Sequence, residues 1–268
     1  RVVLETRMGA VSMNISESKG DDVKCGNRTI NSTTTPCKTI AAALQNYPFE
    51  SFVYIVQPGN YNVTSPMAFP ERHMQLYSSG ELGSDGALQA TIVTCQSHCM
   101  EMKKHAPKLV RGLHFRASTS SRAAVITAII ITDLFADFTL EDCKFVGFDR
   151  ALDFRRLTGR QVLRHVEFFR NVAPSNNDDD LGGGAILIDS CSDVSVSRST
   201  FEANQALSSS NGRALDGGAL SIYSTTSSST VSMTDCWTES NTATGRGGFV
   251  FVGRTSSFFV SSTKMNRD

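Results

Sequence analysis

The residues in this sequence with the types to do chemistry are carboxylates, and they fall in three places. Asn176-Asn-Asp-Asp-Asp180 runs into Gly182-Gly-Gly184. Asp178, Asp179 and Asp180, with the neighbouring side-chain amides, offer the hard oxygen ligands that Ca2+ takes. The segment lacks the spaced ligands of an EF-hand, so a solvated loop is the plainer reading and Ca2+ the sharper one. A second group, Asp149, Arg150, Asp153, Arg155 and Arg156, has the mixture used to bind and cleave acidic polysaccharides. Its spacing around a turn and along a strand reads instead as solvated surface charge. Asp142 and Asp235 fall at equivalent points of the repeat described below, three coils apart. Strand spacing puts them about 14 Å from each other, too far for a carboxylate pair. The histidines His73, His98, His105, His114 and His165 have no motif context that builds a nucleophilic triad.

Seven cysteines are present. Cys25 and Cys37 bracket a polar loop as a disulfide would, and Cys95 and Cys99 could close a tight loop. Zinc would need paired spacing that Cys95, Cys99, His98 and His105 do not show. Cys143, Cys191 and Cys236 read as small buried core residues. Asn-x-Ser/Thr sequons occur at Asn14, Asn27, Asn31 and Asn62, all in the first 64 residues. Their clustering fits one solvent-facing end of a secreted or cell-surface protein.

The 26 basic and 26 acidic residues cancel, which argues against nucleic acid as a partner. The longest apolar run, Ala123 to Leu134, is too short to span a bilayer as a helix and is read as buried strand. Direct membrane insertion is not expected. The chain opens on Arg1-Val2-Val3-Leu4 with no apolar leader, so the sequons and cysteines favour a mature or excised segment.

These residues need elements to position them, and a repeat supplies the elements. Six segments align: Val110 to Phe115, Leu140 to Phe145, Leu163 to Phe168, Val196 to Phe201, Met233 to Thr238 and Val260 to Met265. The anchors Phe115, Phe145, Phe168, Phe201, Thr238 and Met265 are 30, 23, 33, 37 and 27 residues apart. Three residues after each stands Ser118, Phe148, Asn171, Asn204, Asn241 or Asp268, mostly turn-forming types. A further strand then opens at Ala123, Ala151, Ala185, Ala219 or Phe249. The last three follow Gly183-Gly184, Gly217-Gly218 and Gly247-Gly248, where glycine permits positive φ and close backbone approach. A period near 30 made of short strands cannot bury its own apolar face. Stacked periods can, with identical positions about 4.8 Å apart. The fold class predicted is all-β, a right-handed parallel β-helix. The Phe residues form its internal stack, and Asn171, Asn204 and Asn241 its turn ladder.

The N-terminal region fits a cap. Pro36 to Gln45 reads as a short amphipathic helix with Ile40, Ala43 and Leu44 on one face. Strands at Phe52 to Val56, Met74 to Tyr77 and Thr91 to Thr94 follow, the first before a turn at Pro58-Gly59-Asn60. The domain reading is 1–48 for the first strand, disulfide loop and capping helix, and 49–268 for the stacked coils. The repeat persists to Asp268 with no matching cap. That suggests a chain that continues or docks at that end. The Ser/Thr runs Ser118–Ser121, Ser208–Ser210 and Ser224–Thr230 read as loops bulging from the stack.

The block Val11 to Ile15, Lys19 to Asp22, Cys25-Gly26, Pro36 to Ile40 and Val56 to Tyr61 resembles the start of pectin-lyase-like surface proteins. Phe168 to Asn171 with Gly183-Gly-Ala-Ile186, and Phe201 to Asn204 with Gly217-Gly-Ala-Leu220, resemble the repeats of chlamydial polymorphic outer-membrane proteins. Similar repeats occur in protist, slime-mould and algal surface proteins. The resemblance covers about residues 11 to 268; the repeat at Asn241 departs, with Trp237 beside the anchor and Thr238 in it. The bacterial family's C-terminal barrel is absent from this sequence. The resemblance implies a non-catalytic extracellular or cell-surface module for adhesion or structural assembly. Its partners would be other protein chains or cell-surface glycans, and no cofactor is implied. The rival reading is a polysaccharide-active lyase or hydrolase, since fold does not fix function.

Overall fold

A computed structural model describes residues 11–22, 37–46, 52–68, 74–80, 90–103, 108–118, 126–173, 182–208, 214–224, 229–253, 256–266 and 268. Among these, the chain is all-β apart from one helix, Ile40–Asn46. Three sheets of nine, eight and seven strands carry the fold, with a small three-stranded one beside them. Each pass of the chain visits the large sheets in the same order. One pass runs through Lys108–Arg111 of the first sheet, Leu113–Ala117 of the second and Thr127–Thr132 of the third. The next begins at Phe138–Glu141 of the first. Successive passes pair in parallel, as Lys108 with Phe138 and Phe138 with Gln161. The result is a stack of coils compatible with a solenoid.

The aligned repeat is the register of this stack. Phe115 pairs with Phe145, Phe145 with Phe168, Phe168 with Phe201, Phe201 with Thr238 and Thr238 with Met265. The residues five before them form a second column from Val110 to Val260. Both columns continue toward the N-terminus, through Val93 and Tyr61 on one and Leu76, Tyr54 and Met13 on the other. Rings of Phe115, Phe145, Phe168 and Phe201 stack with centroids 4.9, 5.5 and 4.9 Å apart and nearly parallel planes. Such pairs add about 0.5–1.5 kcal/mol each beyond their burial. Where Thr238 breaks the column, Phe249 turns its edge onto Phe201 at 5.5 Å. Phe148, the apolar residue at a turn position, is buried with its edge on Phe145.

Coil corners explain the polar residues of the motif. Asp142, His165, Arg198, Asp235 and Ser262 each have φ between 50° and 54° at the same corner. This left-handed backbone is uncommon for such side chains. Each backbone N–H from Asp142 to Asp235 there donates to the next coil, Asp142 to Arg164 and His165 to Ser197 for example. The glycine pairs divide their work. Gly217 takes φ of 72°, while a Cβ on Gly218 would collide with the Gly248 carbonyl oxygen of the adjoining coil.

Four details differ from the sequence reading. The helix begins at Ile40 rather than Pro36, because Thr39 caps it. The Thr39 hydroxyl accepts the Ala42 N–H at 3.1 Å, and the Asp22 carboxylate accepts the N–H groups of Lys38 and Thr39. Ile40, Ala43 and Leu44 are buried as the cap requires. Pro58-Gly59-Asn60 is not all turn: the strand Gly59–Val63 already contains Gly59 and Asn60. In the long apolar run the strand is Thr127–Thr132, and Thr127 pairs with Arg150, so Ala128 rather than Ala123 occupies the position of Ala151. Ala123 itself lies outside the described residues. The fourth difference is the charged cluster, taken up below. Val11–Ile15 pairs with Phe52–Val56 and shares the sheet of the later coils.

Candidate functional site

A buried ladder of turn residues links successive coils. Asn171, Asn204 and Asn241 are each 0% exposed. The Asn171 side-chain and backbone N–H groups both donate to Asn204 Oδ1, at 2.9 and 3.1 Å. Asn204 repeats this onto Asn241 Oδ1, at 2.9 and 3.0 Å. Asn241 repeats it onto an Asp268 carboxylate oxygen, at 2.9 and 2.8 Å, and the Thr238 hydroxyl donates to the other oxygen. Each amide also donates to the anchor carbonyl of the preceding coil: Phe145, Phe168 and Phe201. At the first rung the Phe148 N–H donates to Asn171 Oδ1. One ladder thus satisfies the buried donors and acceptors of four turns, and its aligned amide dipoles point at a carboxylate.

The charged group at 149–156 is not the solvated surface expected. Arg150 and Asp153 are 3% and 6% exposed and paired at 3.0 Å. Arg155 Nε donates to the other Asp153 oxygen at 2.8 Å, and Arg150 Nη2 to the Gly182 carbonyl at 3.2 Å. Burial by itself would raise the Asp153 pKa. The hydrogen bond from Arg155 and the charges of Arg150 and Arg155 outweigh it and hold the carboxyl below its usual range. The reason is tertiary: the outer side of this part of the third sheet is covered, so that Ala151, Asp153, Leu187 and Ser221 are all buried. Asp149 accepts the Ile126 N–H at 2.7 Å, and burial raises its pKa. Arg156 alone matches the expectation, exposed and paired with Asp133.

Other candidates separate. Asp178, Asp179 and Asp180 lie outside the described residues, as do Asn27, Asn31, Cys25, His73 and His105. Among the described residues no group of three His, Cys, Asp or Glu side chains could hold a metal ion. Cys95 and Cys99 form a disulfide at the corner between the second and third sheets. Cys37 is disulfide-bonded too. Cys143, Cys191 and Cys236 are free and buried; burial raises all three thiols, Cys143 and Cys191 to about 12. Asn14 lies on the strand Val11–Ile15, and Asn62 is exposed on Gly59–Val63. Asp142 joins a surface network instead of a pair with Asp235: Arg111 binds it at 2.9 Å and His165 approaches it at 3.3 Å.

The outward faces carry side chains in register rows. On the first sheet, Ser195 and Ser232 are register neighbours, as are Ser197, Thr234 and Ser261, and all are at least partly exposed. On the second, Glu202 and Glu239 are direct register neighbours beside Trp237, whose ring carries Lys264 Nζ at 4.5 Å. The sequence reading passed over this carboxylate pair, although the repeat contains the signal: each Glu directly follows an anchor, Phe201 or Thr238. In the last coil Val252, Phe259, Val260 and Met265 are 37–61% exposed. Among the described residues no helix is long and apolar enough to cross a membrane. A scan against protein-family models, a search of curated proteins and a search of solved structures each return no match to this chain.

Proposed function

We propose that this chain is a non-catalytic extracellular or cell-surface module for adhesion or structural assembly, and that its coils wind as a right-handed parallel β-helix. The observation that carries this reading is the hydroxyl-lined outer face of the first sheet, where Ser195 and Ser232, and Ser197, Thr234 and Ser261, stand in register. A repeating row of exposed hydroxyls suits contact with an extended partner, whereas small substrates are held in concave sites. The sequons, the disulfides and the likeness of the Phe-x-x-Asn and Gly-Gly repeats to those of surface proteins support placement outside the cell. Protein chains or cell-surface glycans are the partners proposed.

A polysaccharide-active enzyme is the second reading, drawn from the register pair Glu202 and Glu239. Adjacent strands put their Cα atoms about 4.8 Å apart, within the span of a carboxylate pair. One experiment separates the two. The intact chain is titrated against arrayed surface glycans and incubated with acidic polysaccharides, alongside Ser197→Lys/Thr234→Lys and Glu202→Gln variants. Binding lost in the Lys variant, with no turnover, supports the module. Turnover abolished by Glu202→Gln overturns it in favour of the enzyme.

A further inference from the structure

We infer that Asn62 carries an N-linked glycan whose first sugar lies in a groove beside the capping helix and covers the edge of the second sheet. This rests on the extracellular reading above, because only the secretory pathway supplies the modification.

Among the described residues Gly59–Val63 is the terminal strand of the eight-stranded sheet, and one of its sides meets no described strand. An unpaired edge invites another chain to add to it. Along this strand Tyr61 and Val63 are buried while Asn60 and Asn62 are exposed. The sequon Asn62-Val63-Thr64 therefore presents its Asn and Thr outward together, with Val63 anchored in the core. Beside it runs an open groove of about 330 Å3 between the strand and the start of the helix. Its polar lining includes Glu17, Lys38, Asn60, Thr64 and Ser65, and Met67 adds an apolar patch. That volume lies at the lower end of small-molecule sites, and the mixed lining suits the hydroxyls and apolar ring face of a sugar.

The edge shows how it is already managed at one position. The Asn60 N–H donates to the Glu17 carboxylate at 2.8 Å instead of to a strand, and the Tyr61 hydroxyl accepts the Glu17 N–H at 3.2 Å. Two residues on, Asn62 stands at the next outward position. A sugar there extends the cover that Glu17 begins. The same location recurs on the neighbouring sheet, where the sequon residue Asn14 lies on Val11–Ile15, the terminal strand of the nine-stranded sheet. Both sequons among the described residues thus fall on strands that are terminal among those described, at the capped end.

The chemistry is a substitution at an anomeric carbon. The Asn62 side-chain nitrogen forms a bond to C1 of the N-acetylglucosamine at the reducing end of a lipid-diphosphate-linked oligosaccharide. The bond from C1 to the phosphate oxygen breaks, the amide nitrogen gives up one proton, and the lipid diphosphate leaves.

The test directs the full chain, behind a supplied leader, through the secretory pathway of a eukaryotic cell. Supplying the leader asks the question of Asn62 whether or not the native chain is exported; fractionation of the native source tests export separately. Peptide mapping reads occupancy at Asn62. Hydrogen exchange over residues 57–68 then compares intact glycoprotein, protein trimmed to a single N-acetylglucosamine, and the Thr64→Ala variant, with Thr64→Ser as the rescue. We expect an occupied Asn62. Slowed exchange should persist with the single sugar, be lost in Thr64→Ala and return in Thr64→Ser. An unmodified Asn62 overturns the proposal. So does an occupied Asn62 whose single sugar leaves exchange equal to that of Thr64→Ala.

Discussion

Replacing Asn204 by alanine removes the central rung of the buried ladder, and the cost follows from its bonds. Four hydrogen bonds go: two from Asn171 into Asn204 Oδ1, and two from Asn204 Nδ2 to Phe168 O and Asn241 Oδ1. Two of the partners keep another bond: Asn241 Oδ1 still accepts the residue-204 N–H, and Asn171 Nδ2 still reaches Phe145 O. The Phe168 carbonyl keeps its place in the parallel ladder with the next coil, so only the Asn171 N–H loses its bond, at a residue with no exposure. A buried polar group left unsatisfied costs about 1–3 kcal/mol, so Asn204→Ala is expected to cost about 1–3 kcal/mol. That is a large share of the roughly 5–15 kcal/mol that holds a typical domain together. Chemical denaturation followed by circular dichroism measures it, with Ser195→Ala on the outer face as the reference. Hydrogen exchange should show the loss centred on the amides of Asn171 and Asn204. Asn204→Asp adds a sign test. Without donors toward Phe168 O and Asn241 Oδ1, a carboxylate there is disfavoured and its folded pKa rises above the unfolded value of about 3.9. The variant's relative stability is then fullest below that pH and falls as pH rises through the folded pKa. A cost for Asn204→Ala within about 0.5 kcal/mol of Ser195→Ala, the range of ordinary surface changes, would refute the reasoning.

Phe168→Ala, which removes a ring stacked on both sides, is expected to cost about 3–5 kcal/mol, and Phe168→Leu clearly less; thermal denaturation distinguishes them. Asp153 has a lowered pKa in the folded state. Its contribution to stability is therefore complete above the unfolded value of about 3.9 and disappears as pH falls through the lower folded value. Asp153→Asn should flatten that acid limb in a pH series of unfolding midpoints, and Asp153→Ala should cost about 3–5 kcal/mol by removing the buried carboxylate that pairs with Arg150 and Arg155. The Cys143 and Cys191 thiols, pushed up to about 12 by burial, should resist alkylation at pH 8 until the chain unfolds. Mass spectrometry of reagent-treated native protein showing rapid labelling of either would contradict this.

The repeat was legible in the amino-acid sequence because stacking makes it so. A coil buries its apolar face only against a copy of itself, so Phe115, Phe145, Phe168 and Phe201 must recur at a constant offset from their turn residues. Identical polar side chains at the turn can satisfy one another only if they superpose, which is why Asn171, Asn204 and Asn241 were also visible. The N-terminal coils escaped that alignment since Tyr61 and Val93 fill the anchor column with other apolar types. What tertiary structure alone decided is which outward positions stay outward. Strand alternation sends Asp153 away from the core as it does Ser195, yet Asp153 is buried with Arg150 and Ser195 is not. The difference lies in what covers each sheet from outside, and no local period encodes that. The same holds for the Glu202 and Glu239 pair, for the groove beside Asn62 and for the cap at Thr39. Each depends on residues distant in the chain, so composition and spacing supplied the parts while only the packed coils determined which of them meet.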